Sequence, residues 1–354
     1  MNRGTTIVDN IQMKCLKSDN YNFIYDKDSG FFVRWGKTEE EDPSYSLFGP
    51  EIVDIEISTI CNGVNNKPCK FCYKSNSGRG YNMSLDTFKK VFEKLPKIVT
   101  QIAFGLGDLD ANPDRYLIFE HCRANGVVPN VTINGDRLSD GEVKELVRLC
   151  GAVAVSRYEP KDVCYNAVKK LTDSGMNQVN IHHLVCEETY DQCLETVKDA
   201  VTDERLKGLK AIVFLALKQR GRGESFNPMR STEKYRKLVD LAMEQKIAIG
   251  FDSCSASKFL KCMEGHKDYK QFEVSAEPCE STLFSIYIDV FGKAFPCSFL
   301  EDSNKGVSVT NCEDFIKDVW FGEELSNFRK RLLVTAQSDN CLVKGCRQCP
   351  VYEI

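Results

Sequence analysis

The chain alternates short, almost continuous apolar runs with longer stretches in which apolar residues recur every three or four positions. From residue 53 onward the runs Val53–Thr59, Gln101–Leu106, Pro129–Asn134, Ala152–Tyr158, Gln178–Val185 and Lys210–Leu217 predict strands, and Ile247–Phe251 predicts a seventh. Runs of this kind suit a parallel sheet that is covered on its outer face. The stretches between them carry the period of a helix. Ser84 precedes the stripe Phe88, Val91, Phe92 and Leu95; Ser139 precedes Val143, Leu146, Val147 and Cys150; Ser231 precedes Tyr235, Leu238, Leu241 and Ala242. A serine at each start supplies an acceptor for an amide that the first helical turn leaves unpaired. Strand and helix alternating about six times predict the α/β class with a parallel sheet, open or partly closed as a barrel. Sites in such sheets form at the carboxyl ends of the strands.

Either side of this region the pattern differs. Asn22–Tyr25 and Phe31–Trp35 flank the turn-forming cluster Asp26–Gly30 and predict a hairpin within residues 1–50. The acidic run Glu39–Pro43 reads as a solvated loop. After about residue 254 the alternation stops. There Leu283–Val290 alternates like a strand and Phe291-Gly292-Lys293 makes a tight turn, so the last hundred residues predict a small α+β extension. The expected division is 1–50, 51–253 and 254–354.

Composition narrows the function classes. A net charge of −4 and a pI near 5.8 argue against a phosphate-backbone partner. The basic runs Lys218–Gly223 and Arg329–Arg331 are local. The N-terminal residues contain no apolar signal region, and no apolar run is long enough to span a bilayer, so the expected location is the cytoplasm. Seventeen cysteines then need a reason other than disulfides, because a chain with 42% hydrophobic residues can build a core without them. Scattered cysteines such as Cys122, Cys150, Cys164 and Cys193 read as small core residues. Clustered ones read as metal ligands.

The densest cluster is Cys61, Cys69 and Cys72, with seven residues in the first gap and two in the second. Three thiolates can hold three irons of a 4Fe–4S cube and leave the fourth open for chemistry. Zinc is the alternative, but tetrahedral closure asks for a fourth ligand that the loop does not contain. Cys61 falls two residues after the first strand, where a barrel places its site.

With Phe71 before the last cysteine, this arrangement resembles the radical S-adenosylmethionine (radical SAM) superfamily. That family usually has three residues in the first gap, so the seven here read as an enlarged loop. The resemblance implies a partial (β/α)6 TIM-like barrel, that Cys61, Cys69 and Cys72 carry the catalytic cluster, that SAM chelates its open iron, and that reductive cleavage releases a 5′-deoxyadenosyl radical. Phe104-Gly105-Leu106-Gly107-Asp108 is similar to the family's Gly-Gly-Glu segment. Gly105, Gly107 and Asp108 are thereby implied as contacts of the SAM amino group, with Asp in place of Glu and Leu106 inserted. Asn134, at the end of the third strand, and Ser156, at the end of the fourth, are further expected SAM contacts. Arg220 and Arg222, after the sixth, are expected to reach a carboxylate of SAM or substrate, with solvated loop arginines the alternative. Of His182 and His183, one must face the barrel interior, and a core role is the expectation for the pair.

The tail carries a second resemblance. Cys279, twelve residues, Gly292, four residues and Cys297 look like the opening of a SPASM or twitch domain, which binds an auxiliary iron–sulfur cluster. Residues 314–331 resemble its helical connector. Cys346 and Cys349 are implied as further ligands, with Cys254 and Cys341 in reserve, and one auxiliary cluster is expected. Members with this extension mostly modify peptides or protein side chains. The implied partners are a peptide substrate and a reductant such as a flavodoxin or ferredoxin; because residues 1–50 are short for a leader-binding domain, either a separate leader-peptide-binding protein supplies that role or no leader is needed. A small-molecule or carbohydrate substrate is the second reading, and a non-catalytic iron–sulfur or zinc module the third.

Overall fold

The computed structural model describes residues 5–38, 41–301, 305–335 and 349–352; Cys341 and Cys346 lie outside the described residues. Four antiparallel strands come first, β1 (Thr6–Asp9), β2 (Met13–Lys17), β3 (Asn22–Asp26) and β4 (Phe32–Trp35), in the order β1-β2-β3-β4. The expected hairpin is β3–β4. The pair before it is hard to read in the sequence because Lys14 occupies an inward position of β2. Its ammonium is satisfied there by the Val99 carbonyl at 2.7 Å and Asp9 at 3.2 Å.

Seven parallel strands follow: β5 (Ile52–Glu56), β6 (Gln101–Gly105), β7 (Val128–Ile133), β8 (Val153–Ser156), β9 (Val179–Val185), β10 (Ala211–Ala216) and β11 (Ile249–Phe251). Between them lie α1 (Leu85–Lys94), α2 (Arg115–Ala124), α3 (Asp140–Leu149), α4 (Lys161–Asp173), α5 (Tyr190–Thr202) and α6 (Thr232–Glu244). The three expected serine caps are present: Ser84, Ser139 and Ser231 accept from Thr87, Glu142 and Lys234 amides. After β11 come α7 (Ala256–Cys262), α8 (Tyr269–Ser275), β12 (Ser285–Ile288), β13 (Lys293–Phe295), β14 (Val307–Ser308) and α9 (Glu323–Thr335).

The sheet runs β11-β10-β9-β8-β7-β6-β5-β12-β13-β14. Strand β12 pairs parallel to β5, from Ser285 opposite Ile52 to Ile288 opposite Ile55. That edge is therefore occupied by the C-terminal region instead of by β11, and the barrel stays open. Strands β13 and β14 continue antiparallel, which makes the C-terminal antiparallel extension. The strand predicted over Leu283–Val290 is shorter, because Leu283 and Phe284 bury themselves in a turn before it.

Alternation along the strands separates two environments. Val53, Ile55, Ile102, Phe104, Val155 and Phe214 are buried against helix residues such as Phe88, Val91 and Phe119. Burying each such side chain contributes roughly 1.5–3 kcal/mol. The opposite positions, among them Gly105, Asn130, Asn134, Ser156 and His182, are small or polar and face the barrel interior. The N-terminal sheet packs Leu16, Tyr21, Phe23 and Tyr25 against Ile98 and Val128, at the amino ends of β6 and β7, and against Phe328 and Leu332 of α9. It covers the end of the barrel opposite the cysteine loop. No disulfide joins the described cysteines, and Cys122, Cys150, Cys164 and Cys193 are core residues. Among the described residues, no helix is long and apolar enough to cross a membrane.

Candidate functional site

Beyond β5 the chain is pinned before it reaches the cysteines. Asn112, fully buried, donates from Nδ2 to the carbonyls of Ile57 (2.7 Å) and Met83 (2.9 Å). The Cys61 amide then donates to the Ser77 carbonyl at 2.8 Å. The far side of the loop is held by Arg222, whose Nε donates to the Cys69 carbonyl (2.7 Å) and whose Nη2 donates to the Asn76 carbonyl (3.0 Å).

The long first gap has a simple geometry. The Lys67 amide donates back to the Val64 carbonyl at 3.0 Å, closing a turn with Asn65 and Asn66 at positive φ. Gly63 (φ +76°) then lies directly beside Pro68; a Cβ on Gly63 would stand 2.8 Å from the Pro68 Cα. Looping out Val64–Lys67 leaves only Asn62, Gly63 and Pro68 between Cys61 and Cys69.

The end of β6 passes under this loop. A Cβ on Gly107 would stand 2.3 Å from the Cys61 Cβ and 2.4 Å from the Ile60 carbonyl, so the crossing requires glycine. Gly105 has ordinary space around it beside Glu56. The buried Asp108 carboxylate accepts from the Asn62 amide and Nδ2, both at 2.8 Å, and from Asn134 Nδ2 at 3.0 Å. The Cys61 Sγ is 3.6 Å from it. Burial pushes the Cys61 thiol up to about 12, and Asp108 adds to that. Burial likewise pushes Cys69 up to about 11, with Cys72 adding. Iron loading has to displace these protons.

A cavity of about 490 Å³ lies against the loop, lined by Cys69, Phe71, Tyr158, His183 and Phe226 among others. The Phe71 ring packs on Tyr158 (centroids 5.5 Å apart) and on Phe226 (5.8 Å). His182 faces the barrel interior. His183 faces the other way and is buried, yet neither ring nitrogen has a hydrogen-bond partner among the described residues. Burial, with the Arg157 guanidinium nearby, lowers its imidazole to about 3. Arg157 Nε is also buried without a partner.

The second cysteine group draws on three separate stretches of chain. Burial pushes Cys279 up to about 12, and the Cys254, Cys349 and Cys297 thiols add to it. Cys297 responds in the same way to Cys254 and Cys349. Cys254 comes from the end of β11, Cys279 and Cys297 from either side of the β12–β13 hairpin, and Cys349 from the C-terminal stretch. Among the described residues no three side chains converge tightly enough for a single metal ion. A cluster spreads its thiolates over several irons, so a wider group of four fits a cluster better than an ion. Cys262 and Cys312 lie in the apolar core instead.

A buried polar network joins the two regions. Lys74, two residues past Cys72, contacts Tyr287 Oη (2.8 Å) and Glu56 (3.2 Å), and pairs with Glu301. Tyr287 Oη donates to Glu56 at 3.0 Å. Burial raises the Glu56 carboxyl to about 7 against the pull of Lys74.

Comparison with known proteins bears on both groups. Residues 55–159 match the radical SAM superfamily, and residues 279–350 match the SPASM iron–sulfur cluster-binding domain. The chain belongs to the radical SAM superfamily. It is a radical SAM enzyme with a SAM-binding 4Fe–4S cluster and a SPASM auxiliary iron–sulfur cluster. No curated protein sequence matches it. Its fold is similar to Streptococcus suis SuiB bound to the precursor peptide SuiA, with a TM-score of 0.71 at 11% identity over 97% of this chain and 95% of that one. SuiB bound to S-adenosylmethionine gives 0.67 at 12% identity, over 98% and 95%. anSMEcpe with bound AdoMet and the Cp18Cys peptide gives 0.57 at 15%, over 79% and 83%.

Within this radical SAM barrel, Cys61, Cys69, Phe71, Cys72, Gly105, Gly107, Asp108, Asn134 and Ser156 gather at the carboxyl ends of β5 to β8. Arg220 Nη1 donates to the Ser298 carbonyl at 2.8 Å, next to Cys297. Arg222, its neighbour in the same basic run, is the one that holds the cysteine loop. Sequence reasoning missed the cavity group of Arg157, Tyr158 and His183. Their position at the carboxyl ends of β8 and β9 was the available signal.

Proposed function

We propose that this radical SAM enzyme modifies a peptide or protein side chain by hydrogen abstraction, as in the maturation of ribosomally made peptides. The observation that supports the substrate class is likeness in fold, over 97% of the chain, to a protein solved with a precursor peptide bound. Cys61, Cys69 and Cys72 would hold three irons of the SAM-binding cluster. When bound and reduced, that cluster supplies the electron that releases a 5′-deoxyadenosyl radical from SAM. The cavity beside Phe71 would take the adenosine half of SAM, its volume lying within the roughly 300–1,000 Å³ usual for small-ligand sites. Phe71, Tyr158 and Phe226 offer ring faces there, and Arg157 and His183 offer unpaired N–H groups. Asn134 and Ser156 face the barrel interior beside it. Asp108 would act mainly by ordering Asn62 and Asn134 around the loop.

Cys254, Cys279, Cys297 and Cys349 would hold the auxiliary cluster, with Cys341 and Cys346 as further candidates, and Arg220 would sit beside them. The division 1–50, 51–253 and 254–354 describes an N-terminal sheet, the radical SAM barrel and the SPASM region. A flavodoxin or ferredoxin as reductant, a separate leader-binding protein and a cytoplasmic setting complete the reading. The test is co-expression with a candidate precursor peptide followed by mass spectrometry. A mass change that requires Cys61, Cys69 and Cys72 supports the peptide reading. An unmodified peptide, alongside 5′-deoxyadenosine formation by the same preparation with dithionite and SAM, would turn the assignment to a small molecule.

A further inference from the structure

Three aromatic rings connect the two cysteine groups. Tyr73 directly follows Cys72, and its ring lies 4.5 Å from that of Phe299. Phe299 stands two residues past Cys297. Phe299 also meets Tyr352 edge-on, with ring centroids 5.9 Å apart. Tyr352 stands three residues past Cys349, and its amide donates to the Cys349 Sγ at 3.4 Å. Each ring is thus within a few bonds of a candidate ligand cysteine, and each touches the next at distances normal for packed rings. Lys218 Nζ stands 5.3 Å over the Phe299 ring, and the Lys74 network fixes the segment beside Tyr73.

We infer that the run of rings Tyr73–Phe299–Tyr352 is the path by which one electron passes between the loop site and the auxiliary site. The step is a pure electron transfer. One site loses one electron as the other gains it, no bond forms or breaks, and the electron enters the protein from a low-potential one-electron reductant. Tunnelling weakens steeply across empty gaps, and a run of rings in contact between ligand-bearing segments replaces such a gap. Phe299 is the central element, because it alone of the three touches both of the others. The inference rests on the reading of Cys297 and Cys349 as auxiliary ligands.

The test follows the electron directly. Anaerobically reconstituted full-length protein is mixed with one equivalent of titanium(III) citrate, frozen at increasing delays, and read by EPR. The reference spectra come from protein lacking Cys61, Cys69 and Cys72 and from protein lacking Cys279 and Cys297. In the wild type, signal should move from one centre to the other with time. Phe299→Leu keeps an apolar side chain but removes the ring; it should leave iron content and both spectra unchanged and slow the exchange by an order of magnitude. Phe299→Tyr should keep the wild-type rate. A wild-type rate in Phe299→Leu, or two reduced centres that never exchange in the wild type, overturns the path. If the wild type shows one centre only, the auxiliary-ligand reading has failed, and the path fails with it.

Discussion

The two cysteine groups are built in opposite ways. The loop site takes three thiols from twelve consecutive residues between β5 and α1, and fixes them with local turns and a few long hydrogen bonds. The candidate auxiliary thiols come from the end of a barrel strand, from both sides of a hairpin and from the C-terminal stretch. A contiguous loop can stop at three ligands and leave an iron open beside the barrel interior. A site assembled from distant segments can surround its cluster with four. Under the proposed assignment the difference would correspond to a division of labour, with chemistry at the loop and electron exchange or substrate contact at the auxiliary site.

The largest effect should come from removing the loop thiols. Changing Cys61, Cys69 and Cys72 together to Ala should abolish 5′-deoxyadenosine formation and remove about four irons, the content of one cube, while the auxiliary iron stays. Cleavage that survives would break the assignment. Changing Cys279 and Cys297 to Ala should lower iron by a similar amount yet preserve the loop-site EPR signal. Unchanged iron would place the auxiliary cluster elsewhere.

A smaller and more local effect is expected at Gly107. Gly107→Ala puts a methyl group into the Cys61 backbone, an overpacking that costs about 1–3 kcal/mol. Iron at the loop site should fall while auxiliary iron does not. Equal loss at both sites would mean that the crossing supports the whole barrel.

How much of this was legible in the sequence follows the same contrast. The seven strands and their capped helices were readable because apolar period and serine caps are local signals. So was the loop site, whose residues are neighbours in the chain. The candidate auxiliary ligands were readable in part: Cys279 and Cys297 bracket a visible turn, and Cys254 ends the last barrel strand, whereas the approach of all of them to Cys349 depends on how the sheet closes. Strand β2 escaped because Lys14, buried through its bond to Val99, breaks the apolar alternation, and β1 because its four residues are mostly exposed. Arg220 and Arg222 could not be told apart, since which of two arginines turns inward depends on the packing of the hairpin.

The histidine pair gives a prediction in pH. His183 is held neutral, its imidazole lowered to about 3, while an unfolded histidine takes a proton below about pH 6.5. The unfolded state then binds more protons, so this contribution to stability is complete above about pH 6.5 and is lost as pH falls toward about 3. Denaturant melts of His183→Gln should show a shallower acid loss than the wild type, and equal slopes would mean that His183 is charged in the folded protein.

The smallest effect should come from deleting Val64–Lys67. That turn closes on itself, so its removal should leave the loop iron near wild type, while the loss of Val64, Asn65 and Lys67 from the cavity wall should weaken SAM binding modestly. A large loss would show that the enlarged loop is part of the site and not an addition to it.

The central claim is that SAM meets iron at the loop and not at the auxiliary site. The most direct measurement is the EPR spectrum of the reduced protein with and without SAM, taken on the Cys61→Ala, Cys69→Ala, Cys72→Ala variant and on the Cys279→Ala, Cys297→Ala variant. SAM should change the spectrum of the second and leave that of the first untouched. A SAM-dependent change in the protein that lacks the loop thiols would contradict the account.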